Sequence, residues 1–161
     1  MRKSLLTIVG AIAMLMTYSC ETNPLLKEWE TPFGIPPFEE VRPEHYMPAF
    51  LKAMEEHKAE IDAIVNCKEE PTFENTILPY DKAGSLYSKV AVVFSSESGV
   101  NSSDAIMAIS KELSPIQSKH FSEVSLNDAL FQRIKSVYDK RESMGLDADQ
   151  MRLVEEIYKG F

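Results

Sequence analysis

An all-α fold is what this sequence of 161 residues predicts, on three observations. Past position 42, apolar residues recur at alternating steps of three and four, the spacing that gathers side chains on one face of a helix. Glycine occurs only six times, and helix-forming residues dominate the same region. No run of alternating apolar and polar residues is long enough to argue for a sheet, and neither an internal repeat nor a low-complexity tract is present.

The first element is a targeting segment rather than part of the fold. Arg2 and Lys3 form a short basic region, residues 5–16 an apolar run, and small Ser19 precedes Cys20. The apolar run is too short to span a bilayer comfortably. Residues 1–19 therefore read as a signal peptide. Cys20 is the expected lipidation site of an exported, membrane-anchored lipoprotein facing the periplasm or the cell surface. Thr17 stands where a branched apolar residue is preferred, so an ordinary secretory signal on a soluble periplasmic protein is the alternative. Residues 1–19 hold two of the 17 basic residues and none of the 25 acids, so the remainder carries 15 against 25, a formal charge of −10. Such a surface is poorly matched to a phosphate backbone, and no nucleic-acid partner is expected. With Cys20 lipidated, only Cys67 remains, which leaves no intramolecular disulfide and no thiolate cluster.

Next comes the stretch NPLLKEWETPFGIPPFEEVRPEHYMPAF, residues 23–50, with six prolines, five aromatics and the only tryptophan. Proline keeps its first part out of helix, so residues 20–42 are set apart from a helical region at 43–161. Pro43 suits the first turn of a helix, where its missing N–H costs nothing. Met47, Phe50, Met54, His57, Ile61 and Ile64 then share one face, and the helix ends near NCKEEP. Thr72 is the expected N-cap of a second helix with Leu86, Tyr87, Val90, Ala91 and Phe94 on its apolar face. Within it Pro79 should kink the helix or delay its regular start to about Leu78, because its ring clashes with the carbonyl four residues earlier. Ser102 or Ser103 caps a third helix, with Ile106, Ile109, Leu113, Ile116 and His120 aligned and a kink expected at Pro115. Asn127 caps a fourth, carrying Leu130, Ile134 and Val137 and stopping at Gly145. Asp147 and Gln150 make a capping box for a fifth, whose apolar stripe runs from Met151 through Val154 to Phe161; a stripe ending there, without cap or polar tail, is what an interrupted chain would show.

The search for chemistry is largely negative. His-Glu-x-x-His, a Gly-rich phosphate loop, a Gly-x-Ser-x-Gly elbow and a cysteine pair at zinc spacing are all absent from the sequence. Two His-x-x-Glu pairs occur, His57 with Glu60 and His120 with Glu123. On a helix each pair could share a metal, but both histidines lie on apolar stripes, where a packed ring with one satisfied hydrogen bond is the stronger reading. His45 is expected at a helix start as a surface or capping group, and Cys67 as a half-buried residue at a helix end. The acidic runs at 39–40 and 68–70 read as solvated charge.

The opening stretch, followed in order by AEIDAIV, PTFENTI, AGSLYSKV, LFQRIKSVYDKRESMGLD and RLVEEIYKGF, resembles the N-terminal part of the thimet oligopeptidase family of zinc metallopeptidases, in its bacterial peptidyl-dipeptidase branch. The likeness covers essentially all of the chain after the signal, with Pro79 a local departure. It implies a mostly helical, two-lobed clamshell around a deep channel, to which these residues would contribute a helical segment of the N-terminal lobe. Residues 20–42 would then be an extended strap pinned to the helices by Trp29, Phe33 and Phe38. The implied activity is hydrolysis of oligopeptides with release of C-terminal dipeptides. Zinc is held in that family by the histidines of His-Glu-x-x-His and a later glutamate, while the motif's own glutamate serves as general base on a zinc-bound water.

None of those positions exists in this sequence, so the resemblance assigns it no catalytic, metal or substrate-binding residue and no zinc of its own. It implies an N-terminal fragment of the enzyme. Two alternatives are a docking half that needs a separate, zinc-bearing C-terminal catalytic partner, and a free-standing helical binding protein.

Overall fold

The computed structural model describes residues 23–100 and 103–161, and no strand occurs among them. The signal segment, Cys20 and Ser102 lie outside the described residues. Among the described residues six α-helices follow one another: α1 Pro43–Asn66, α2 Leu78–Lys82, α3 Ser85–Val100, α4 Asp104–Ser125, α5 Asp128–Lys140 and α6 Ala148–Gly160.

Local chemistry sets the helix starts. Ahead of α1 the Arg42 N–H donates to His45 Nδ1 at 3.1 Å, so His45 is the capping group and Pro43 occupies the first turn. Ser103 Oγ accepts from Ile106 N at 3.3 Å to open α4, and Asn127 Oδ1 accepts from Leu130 N at 3.0 Å to open α5. Asp147 and Gln150 exchange bonds of 2.9 and 3.1 Å at the start of α6. Each such side chain satisfies a backbone donor that the first turn leaves without a partner. Pro115 lies inside α4 without interrupting it. A short 3₁₀ turn at Arg141–Ser143 follows α5, and Gly145, at φ 68°, turns the chain toward α6.

The second expected helix differs in form. Thr72 caps it through a reciprocal pair with Asn75, at 3.2 and 2.8 Å. Its first turn, Phe73–Ile77, is a π-turn in which Leu78 N–H reaches back to Phe73 O, and regular helix starts at Leu78. Widening the turn relieves the clash that Pro79 would otherwise make with the carbonyl of Asn75. The segment is then divided, not merely bent: Ala83 becomes extended at ψ 144°, Gly84 takes φ 75°, and α3 begins afresh at Ser85.

The helices enclose two apolar clusters joined along α1. In the first, Tyr46, Phe50 and Met54 of α1 meet Val90 and Val93 of α3, Ile106 and Leu113 of α4, and Leu25. In the second, Ile61 and Ile64 of α1 meet Phe73 and Ile77, three residues of α5 (Leu130, Ile134, Val137), and Val154 of α6. Ala49 and Ala53 are fully buried on α1 as well, where their small size lets neighbouring helices approach.

Between Asn23 and Arg42, Leu25, Trp29 and Val41 pack against the first cluster. Leu25 is buried and Trp29 is partly so, with its indole N–H donating to Pro24 O at 3.0 Å and the Lys89 ammonium 4.2 Å from its ring centre. Phe33 is instead wholly exposed and Phe38 is 47 % exposed. Successive left-handed residues, Phe33 at φ 61° and Gly34 at φ 65°, reverse the chain there and turn the Phe33 ring outward.

Arg133 fastens the second cluster from α5. Its guanidinium donates to Cys67 O at 2.9 Å, Glu69 O at 3.3 Å, and both Asn75 Oδ1 and Thr76 Oγ1 at 3.2 Å. Arg133→Met should therefore cost about 1.5–3 kcal/mol, the range for hydrogen bonds to a charged group. Urea unfolding checks this. Lys135→Met, which removes only an exposed ion pair with Asp139, should change stability by less than about 1 kcal/mol in the same assay.

Candidate functional site

The residues with the strongest claim to chemistry meet at the middle of α1. His57 lies between Met54 of the first cluster and Ile61 of the second; on α4, His120 lies between Ile116 and Val124, which pack against the first and second cluster respectively. Both rings are buried, and His57 Nδ1 stands 2.9 Å from His120 Nε2. The ring centres are 5.0 Å apart with the planes inclined at 60°, and Phe121 packs edge-on against His120 at 5.1 Å and against Tyr87 at 4.9 Å. Gly84 closes the other side: a Cβ at that position would meet the His57 ring at 3.4 Å.

Neither His-x-x-Glu pair acts as a unit. Glu60 turns away from His57 and accepts the Gly84 N–H at 2.7 Å, while Glu123 lies on the surface near Lys119. Each histidine finds its hydrogen bond in the other. Among the described residues no three His, Cys, Asp or Glu side chains are placed to hold a metal ion.

Burial pushes the His57 imidazole below its ordinary pKa, with the neighbouring His120 adding to the effect and Glu60 opposing it. Burial does the same to His120, against the pull of Glu123. At neutral pH the pair is therefore two neutral rings sharing one N–H. A second buried polar contact joins Tyr46 to Glu97, where burial and then the carboxylate keep the phenol protonated.

The surface grooves gather no comparable set. One of about 470 Å³ is lined by Ala63, Ile64, Cys67, Pro79 and Ala83 with Glu60 and Lys82, but Glu60 is already committed to the Gly84 backbone. Cys67 is a half-buried free thiol at the end of α1. The pairing of His57 with His120 was not legible beforehand; its only sequence signal is that each histidine interrupts an otherwise apolar stripe.

A helical scaffold with a neutral histidine pair and no assembled reactive group is the class of structure that these residues define. Comparison with known proteins finds relatives. The chain is 35 % identical over 140 residues to the dipeptidyl carboxypeptidase of Salmonella typhimurium, a match that covers 87 % of the chain and 21 % of the relative. It is 34 % identical to the Escherichia coli dipeptidyl carboxypeptidase, over 86 % of the chain and 20 % of that protein. Oligopeptidase A of either organism is 25 % identical over 87 % of the chain, which again spans 20 % of the relative. No family model matches. Over its matched length the chain is similar to dipeptidyl carboxypeptidases and, at lower identity, to oligopeptidase A, and it spans about a fifth of their length.

The joint beside the histidines has a direct test. Gly84→Ala forces a side chain into a left-handed position and against the His57 ring, and should destabilise the chain by about 1–2 kcal/mol. Gly99→Ala, in α3 with open space around its Cβ position, should be neutral or stabilising by up to about 1 kcal/mol. Thermal melts of the two variants should shift in opposite directions or only for Gly84.

Proposed function

We propose that residues 23–161 are the helical N-terminal part of a zinc-dependent peptidyl-dipeptidase that hydrolyses oligopeptides and releases C-terminal dipeptides. The observation that carries this reading is the 35 % identity to a dipeptidyl carboxypeptidase across 87 % of the chain. The lower identity to oligopeptidase A, 25 % over the same extent, favours the peptidyl-dipeptidase branch.

In this reading the residues described here do no bond-making. The zinc ligands and the general base belong to a His-Glu-x-x-His segment that this sequence does not contain, and the present helices supply scaffold and part of the wall of a substrate channel. The alternating apolar stripes of α1, α3 and α4 serve that role by fixing helix positions. Residues 1–19 have the pattern of a signal peptide and support a further proposal, that the protein is exported with Cys20 carrying lipid, the alternative being a soluble periplasmic protein.

A chimera tests the assignment. Replacing the matching fifth of the E. coli dipeptidyl carboxypeptidase with residues 23–161 should leave an enzyme that releases C-terminal dipeptides and loses activity to a chelator. The isolated chain should show no such activity. A chimera that folds but cannot cleave peptides, or a chelator-sensitive activity of the isolated chain, contradicts the proposal. Export is tested separately by expressing the full chain in E. coli with labelled fatty acid: the unaltered chain should take up label in the membrane fraction, and Cys20→Ala should take up none.

A further inference from the structure

The histidine pair occupies the seam between the two apolar clusters, and the peptidase reading gives it no task. Its surroundings are largely apolar, with a groove on the His120 side. Met54 and Ile61 flank His57 along α1, Gly84 abuts its ring, and the partly exposed Phe121 ring lies 6.0 Å away. A separation of 2.9 Å between His57 Nδ1 and His120 Nε2 accommodates a single proton. One N–H donates and the other nitrogen accepts. If both rings are protonated, two N–H groups point at each other at hydrogen-bond distance, and two like charges sit where little water reaches.

The neighbouring carboxylates of Glu60 and Glu123 offset this only in part. On the histidines' own helices the nearest acids are Glu60, held by the Gly84 N–H, and Glu123, near Lys119. Lys58 and Asp62 of α1 border the groove beside His120 and pair with each other. The turn at Gly84 presents backbone, and Lys82 and Glu60 line the adjoining groove. From α3 comes only the neutral Tyr87, through Phe121. No carboxylate accepts a hydrogen bond from either ring.

We infer that the His57–His120 pair is an acid-responsive joint: neutral, it closes the seam between the two clusters, and charged, it parts α1 from α4 there while each cluster stays packed. The sign follows from linkage. Both rings hold their protons less tightly when the seam is closed than in an open chain, so the closed form is fully favoured above the ordinary histidine value of about 6.5 and loses that advantage as pH falls below it. Acid thus opens the joint and neutral pH closes it. Separation of the clusters would alter the relative placement of α5 and α6 against α3, with α1 as the shared axis.

Amide hydrogen exchange of the full chain at about pH 7 and about pH 5, corrected for the intrinsic pH dependence of exchange, reads the joint directly. Acid should raise exchange several-fold in residues 54–64 and 113–124 and leave residues 130–137 protected. In His120→Gln the amide can still bond to neutral His57 but does not titrate, and most of the acid response should vanish. An equal response in that variant, or none in the unaltered chain, overturns the inference. If His120→Gln does not fold, the ring signals of the unaltered chain decide by NMR titration: two midpoints displaced below the ordinary value support the joint, and two midpoints at that value refute it.

Discussion

One helix has to serve two cores. α1 is 24 residues long, about 36 Å at 1.5 Å per residue, and its single apolar stripe faces the first cluster with Tyr46, Phe50 and Met54 and the second with Ile61 and Ile64. Most other elements are placed by where they meet that stripe, while α6 packs on α5 and on the π-turn at Phe73–Ile77. α3 and α4 lie against α1, with the first cluster between them, and α5 packs beside its C-terminal half. Each large apolar side chain so buried contributes about 1.5–3 kcal/mol, so the helix is held far more by these contacts than by its own propensity. His57 falls where the two clusters adjoin, and it needs a polar partner in a place that packing alone would fill with hydrocarbon.

Polar groups in this fold are arranged to finish what the stripe begins. The π-turn at Phe73–Ile77 and the left-handed Gly84 let the chain leave α1, pass the second cluster and return along the first within few residues. Arg133 then joins the loop after α1 to α5 through four acceptors, two of them backbone carbonyls. The exposed ion pairs at i, i+4 on α1, α4, α5 and α6 are of a different kind, since solvent screens them and each is worth little. The net acidity of the chain accordingly governs its surface and its partners rather than its fold.

Much of this was legible in the sequence because it is local. Thr72, Ser103, Asn127 and Asp147 cap the helices that their side-chain chemistry predicts, and the stripes of α1, α4 and α5 bury the residues their spacing selects. What escaped depends on distant chain. Gly84 in an Ala-Gly-Ser context resembles a tolerable helix interior until the His57 ring opposite is known. Phe33 and Phe38 have the composition of anchors, yet the turn at Phe33 and Gly34 faces them outward while smaller Leu25 is buried. The histidines show the same limit: each stripe displays one polar interruption, and only the packing of α1 on α4 brings the two interruptions within 2.9 Å.

The proposed enzyme needs more than these helices, since the relatives are about five times as long as the matched region. Scaffold and chemistry would then reside in different parts of one polypeptide. The most direct measurement is the size of the native product, detected in extracts of the source organism with an antibody against residues 127–145. The account predicts a single band several times larger than the 18.2 kDa of this sequence. A band at 18.2 kDa with no larger species would contradict it.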